Sequence, residues 1–177
     1  RSMSRSGARS TAPSMSGRWV SPSPRPPSPS SSRCNGSYGP PWGRPSTYFE
    51  GSEQPVTHID FTCPYDEPTR QMLVAAAADA GVPLHVGGTY AAVQGPRLET
   101  KAEIDRLERD GATLVGMTGM PEAALARELK LAYAALTVVV NPAAGRGSSA
   151  RSVSLEDIGR VVEETMAKVR RIVEKAV

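Results

Sequence analysis

Residues 86–121, VGGTYAAVQGPRLETKAEIDRLERDGATLVGMTGMP, decide the fold. The run 86–93 is small and apolar and breaks at Gln94-Gly95-Pro96-Arg97, which predicts a strand running into a tight turn. Thr100 followed by Glu103 has capping-box spacing: the hydroxyl takes an orphan helix N–H and the carboxylate reaches back. A helix is expected over 100–110, with Ala102, Ile104 and Leu107 on its apolar side and Gly111 as its stop. Leu114-Val115-Gly116-Met117 reads as a short buried strand. It gives way to Thr118-Gly119-Met120-Pro121, where proline suits the first turn of another helix. Two strand ends therefore deliver Gln94, Arg97, Glu99 and Thr118 to loops that open helices. In α/β sheets that is where ligands bind, although these residue types are equally ordinary in turns and caps.

The flanking chain extends the pattern. Residues 66–80 predict a helix that opens on acids and stops at Gly81. Residues 121–132 predict another, with Ala124, Leu125, Leu129 and Ala132 buried. The β-branched run 134–140 (AALTVVV) is expected to be a central buried strand, ending at Asn141-Pro142 with a loose loop over 143–147. Ser154 caps a final amphipathic helix to about Ala176, expected to pack on the sheet. Alternation over 56–61 suggests a short strand or extended edge.

Composition divides the chain. Residues 1–47 contain seven arginines (Arg1, Arg5, Arg9, Arg18, Arg25, Arg33 and Arg44) and no Asp, Glu or Lys. The other 130 residues hold 14 basic and 18 acidic side chains, so the overall +3 charge belongs to the N-terminal stretch. No basic stripe on the remainder argues for nucleic-acid binding, and no run is apolar enough to span a membrane. Cys34 and Cys63 form no framework, and with His58 and His85 they offer no metal-ligand spacing. The default location is the reducing cytoplasm. Residues 1–41, rich in Ser, Pro, Arg and Gly, are expected to be disordered. A docking tail or an off-frame reading of a GC-rich gene would give the same composition. Residues 42–177 form the second, folded unit.

The motifs Gly88-Thr89-Tyr90, Gly95-Pro96-Arg97-Leu98-Glu99-Thr100, Gly111-Ala112 through Met117-Thr118, and Pro121-Glu122 through Leu125-Ala126-Arg127-Glu128 occur in order. Together they resemble the trimeric purine nucleoside phosphorylase / 5'-methylthioadenosine phosphorylase family, most closely its S-methyl-5'-thioinosine branch, from about Trp42 to the C-terminus. The resemblance implies an α/β, three-layer fold with a central mixed sheet flanked by helices. It also implies phosphorolysis of a purine nucleoside in salvage, with inorganic phosphate as co-substrate, no cofactor or metal, and a homotrimer. Carried over by position, Thr118 binds phosphate, Met117 lies against the ribose, and Leu98 stands where an aromatic usually stacks on the purine. His58, more often structural when alone on an edge strand, would reach a neighbouring subunit's nucleoside near its 5' end. Asn141, otherwise an ordinary turn residue before proline, would contact the base. An amide both donates and accepts, which suits a 6-oxopurine with a protonated N7 and favours S-methyl-5'-thioinosine. The recurrent Pro121-Glu122 to Arg127-Glu128 run suggests a partly buried polar network beneath the preceding loop. The family's glycine-rich phosphate loop and Arg-His pair have no counterpart, so the chain is expected to be a truncated, weakly active or inactive phosphorylase. The alternative is a non-catalytic oligomerisation or binding module derived from the same family.

Overall fold

The computed structural model describes residues 37–38, 43–51 and 55–177. Apart from Ser37–Tyr38, the expectation for residues 1–41 lies outside them. Those two residues form β1, so part of the supposed disordered stretch is paired backbone. Strands β2 (Tyr90–Ala92) and β3 (Leu114–Gly116) complete a sheet in the order β1-β2-β3. Both pairings are parallel, with Tyr90 opposite Ser37 and Leu114 opposite Tyr90. The expected mixed sheet is thus parallel throughout the described strands. Parallel neighbours need a crossover, and α2 (Lys101–Arg109) supplies it between β2 and β3.

Local signals set the helix boundaries. Helix α1 (Glu67–Asp79) starts where the Asp66 carboxylate accepts from the Thr69 N–H. Helix α2 has the full capping box. The Thr100 hydroxyl accepts from the Glu103 N–H at 3.2 Å, and the Glu103 carboxylate accepts from the Thr100 N–H at 2.7 Å. Ile104 and Leu107 are buried against Ala91, Ala112, Val115 and Ala143, which makes one core. Ala102, expected on that side, is exposed because it sits about half a turn from the Ile104–Leu107 line, on the opposite face.

Helix α3 (Gly119–Glu128) bends at Met120 and is regular from Pro121. It stops four residues short of the expected end, where Lys130 takes a φ of 56°. Leu129 and Ala132 are consequently exposed rather than buried. Helix α4 (Leu155–Ala176) keeps its expected span under a Ser154 cap. It packs on α1, not on the sheet. Ile172 enters a second core with Ala76, Ala77, Ala80 and Val82, whose small side chains let the two helices approach. No helix among the described residues is long and apolar enough to cross a membrane.

Two expected strands are not formed. Residues 134–140 run irregularly and half-buried, with no ladder to a neighbour among the described residues. β-branched residues favour strands through packing and pairing with adjacent strands, and the space beside this run is a cavity of about 480 Å³. Its walls include Val82, Leu84, Val86, Val138, Val139 and Ile172. Residues 56–61 likewise have no partner strand among the described residues and lie largely exposed. Cys63, expected with Cys34 to form no framework, is disulfide-bonded; Cys34 lies outside the described residues.

Candidate active site at the carboxyl ends of two strands

The last ladder bond between β2 and β3 runs from the Val93 N–H to the Gly116 carbonyl, 2.8 Å. Beyond it the two chains separate. One becomes the loop 94–100 and the other enters Met117 and Thr118. Tyr90 stands at this junction, buried, its ring laid over two glycines. A Cβ on Gly116 would sit 2.0 Å from the Tyr90 hydroxyl oxygen, and one on Gly119 would sit 3.0 Å from the ring. The same hydroxyl accepts the Thr118 N–H at 3.2 Å. An aromatic at the start of β2 thereby fixes the backbone at the end of β3. Only Gly116 and Gly119 leave room for it.

Thr118 is exposed and its hydroxyl makes no capping bond; the regular part of α3 begins beyond the bend at Met120, three residues on. The Met117 thioether lies over Gly95, where an added Cβ would come within 2.5 Å of the sulfur. Leu98 lines a shallow groove of about 570 Å³ with Pro96, Glu99, Ala144, Ser149 and Val153. Asn141 is buried three residues before Ala144. Its Nδ2 donates to the Pro142 carbonyl at 2.7 Å, and its Oδ1 is buried with no hydrogen-bond partner. An orphaned buried acceptor costs free energy; Asn141 itself lines neither this groove nor the cavity beside residues 134–140, and of residues 141–144 only Ala144 reaches the groove.

Three of the five candidate residues are linked: Met117 touches the 94–100 loop that carries Leu98, and Thr118 follows Met117. Asn141 is tied to them only through its segment, whose Ala144 borders the groove with Leu98. His58 is exposed on the extended 55–61 segment and lines neither cavity.

The loop 143–147, expected to be loose, is held. Arg146 donates to Asp105 at 2.7 Å and to Glu108 at 2.5 Å, fastening it to α2. Arg97 is spent locally, bidentate on Glu103 at 2.7 and 2.8 Å. Arg97, with the Thr100 N–H, holds the Glu103 carboxyl down to about 2. The folded pKa lies below the ordinary value of 4.5, so the stabilisation is complete above about pH 4.5 and is lost as pH falls toward 2. The pair is largely exposed, which keeps its worth small. Glu103→Gln should flatten the pH dependence of urea unfolding between pH 4.5 and 2 and leave its shape above pH 5 unchanged. An identical acid limb in the variant would rule this pair out as a contributor.

The polar residues of α3 are engaged, but with distant segments and largely at the surface, and not beneath the preceding loop as expected. The Tyr133 hydroxyl donates to Glu122 at 2.9 Å, the Tyr48 N–H donates to Glu128 at 2.8 Å, and Arg127 donates to the Cys63 carbonyl. Burial, then the bond to Glu122, pushes the Tyr133 phenol above its usual range. Sequence reasoning missed Tyr90 and Arg44. Small residues at 116 and 119 were the available signal for Tyr90. Arg44, which bonds residues 50 and 73 positions away, had none.

The description that decides the family, the Phosphorylase superfamily, matches residues 38–177. The chain belongs to the Phosphorylase superfamily. Within it, the chain is 54% identical over 128 residues to a probable S-methyl-5'-thioinosine phosphorylase of Pseudomonas syringae pv. tomato, covering 72% of this chain and 51% of that one. It is 48% identical over 107 residues to the 6-oxopurine nucleoside phosphorylase of Pyrococcus furiosus, covering 58% and 40%. Among solved structures it resembles methylthioadenosine phosphorylase from Schistosoma mansoni in complex with adenine. That match has a TM-score of 0.74 at 25% identity over 80% of this chain and 56% of the other. The nucleoside phosphorylase fold expected from the motifs is therefore the fold found. The chain spans about half the length of the curated relatives it matches.

Proposed function

We propose that this phosphorylase chain serves phosphorolysis of a 6-oxopurine nucleoside, S-methyl-5'-thioinosine first. A phosphate oxygen bonds to C1' as the C1'–N9 bond breaks. The bonding pair leaves on the purine, which takes a proton at N7. The products are hypoxanthine and a ribose 1-phosphate derivative. Thr118 contacts phosphate, Met117 borders the ribose, Leu98 forms the apolar wall at the base, and Asn141 reads the base edge. His58 serves the site of a neighbouring subunit in a homotrimer. Inorganic phosphate is the co-substrate, no cofactor takes part, and the setting is the cytoplasm.

The observation that carries this reading is the buried, unpartnered Asn141 Oδ1. A protonated N7 is the donor it lacks, and the second Nδ2 hydrogen can serve O6. The similarity to relatives named for 6-oxopurine and methylthioinosine substrates supports the same choice. Turnover by this chain alone is expected to be slow. Arg97 is committed to Glu103 and Arg44 to two carbonyls, which leaves the Thr118 hydroxyl a weak hold on phosphate.

The test is phosphate-dependent purine release from methylthioinosine, methylthioadenosine, inosine and guanosine, side by side. Release that is fastest with the 6-oxo nucleosides supports the proposal. Faster cleavage of methylthioadenosine would overturn the assignment of Asn141. Absence of release from all four would favour a non-catalytic binding module.

A further inference from the structure

We infer that Arg44 is a positioning residue that sets the spacing between the phosphate-side and base-side loops; this rests on the function proposed above. Its guanidinium is half-buried at the point where the sheet ladder ends. Nη1 donates to the Met117 carbonyl at 2.5 Å and Nη2 donates to the Gln94 carbonyl at 2.9 Å. Both carbonyls lie just past the last β2–β3 ladder bond, from Val93 to Gly116. Arg44 therefore continues the cross-link after the backbone ceases to provide it.

The two carbonyls belong to the segments that matter for the reaction. Met117 precedes Thr118, and Gln94 opens the loop that carries Leu98. One rigid planar fork bonded to both fixes their separation. The Met117 thioether over Gly95 reinforces the same joint. An ammonium would be a poor substitute, because it presents a compact point charge on a flexible stem instead of two donors locked in one plane. Arg44 touches neither reacting group in this arrangement and acts through the loops. Misplacing reactive groups by about 1 Å can cost on the order of 10²-fold in rate, so a joint of this kind affects catalysis far more than folding.

The experiment compares the full chain with Arg44→Met and Arg44→Lys by amide hydrogen exchange and by phosphorolysis of methylthioinosine. In Arg44→Met, exchange should accelerate about tenfold or more in the peptides covering 93–98 and 116–119 together, with α1 and α4 unchanged. The value of kcat/KM should fall on the order of 10²-fold, with KM for phosphate and for nucleoside both raised, and Arg44→Lys should recover only part of the loss. A merely structural role would lower the active fraction, and with it the apparent kcat, while leaving both KM values in place. That result would overturn the proposal, as would exchange that accelerates in one loop alone or evenly over the whole chain. If the unaltered chain releases no purine from any nucleoside, the functional reading fails, and the exchange comparison still decides whether Arg44 joins the two loops.

Discussion

Gly116→Ala is expected to destabilise the chain by about 3 kcal/mol or more. The new Cβ would lie 2.0 Å from the Tyr90 hydroxyl oxygen, 2.7 Å from Cζ and 3.3 Å from Cε2. Relief would require the buried ring, 7% exposed, to shift toward the cavity it borders and to give up its bond to the Thr118 N–H. Gly119 already meets the ring, with a hypothetical Cβ at 3.0 Å, and the hydroxyl is tied to the Thr118 N–H. The backbone of β3 cannot retreat, because it pairs with β2 along its length. Against a total stability of roughly 5–15 kcal/mol for a domain, the loss would be plain in urea unfolding. Tyr90→Phe supplies the internal control. It removes the atom in the worst clash and leaves Cζ too close, so the double variant should recover part of the loss. Tyr90→Phe alone should cost about 1 kcal/mol through the Thr118 N–H it orphans. A Gly116→Ala variant within about 0.5 kcal/mol of the parent would refute the packing argument.

Substitution of Asn141 should reverse substrate preference. In Asn141→Asp the position becomes acceptor-only when ionised. It then suits a 6-amino donor and opposes O6, and a site that leaves a buried polar group unpaired discriminates steeply. The ratio of kcat/KM for methylthioinosine over methylthioadenosine is expected to fall by about 100-fold. Asn141→Leu separates stability from function. It removes both an unsatisfied acceptor and the Nδ2 bond to the Pro142 carbonyl, changes of opposite sign, so its unfolding free energy should stay within about 1 kcal/mol of the parent. Base recognition should nonetheless be lost. Equal loss of both nucleosides in Asn141→Asp, with the ratio unchanged, would remove Asn141 from base reading.

Legibility followed the range of the signal. The capping box at Thr100 and Glu103, the Asp66 and Ser154 caps and the buried line of Ile104 and Leu107 are written within a few residues of where they act. Helices α1, α2 and α4 stand close to where the sequence put them. The run 134–140 failed as a strand for the opposite reason. Its residues favour a sheet, but a sheet requires neighbours, and that requirement is not encoded in the run itself. The exposed Leu129 shows the same limit, since apolar spacing continued past the point where the backbone turned at Lys130. At the candidate site, Thr118, Met117, Leu98 and Asn141 stood out through motif order. The groups that hold their loops did not. Tyr90 acts across 28 residues and Arg44 across 50 and 73, and no local pattern announces a partner so distant.

The cavity between residues 82–88 and 135–139 has a consequence for handling the protein. Its walls are largely apolar, with Arg70, His85, Glu164 and Lys168 also on them, and one side is a β-branched run outside any ladder among the described residues. Such a surface accepts an added strand from any chain that offers one, including another copy of itself. Self-association through it is expected to rise with concentration, so that sedimentation of a dilute and a concentrated sample should show different species. Kinetic constants for it carry meaning only alongside the concentration at which they were taken.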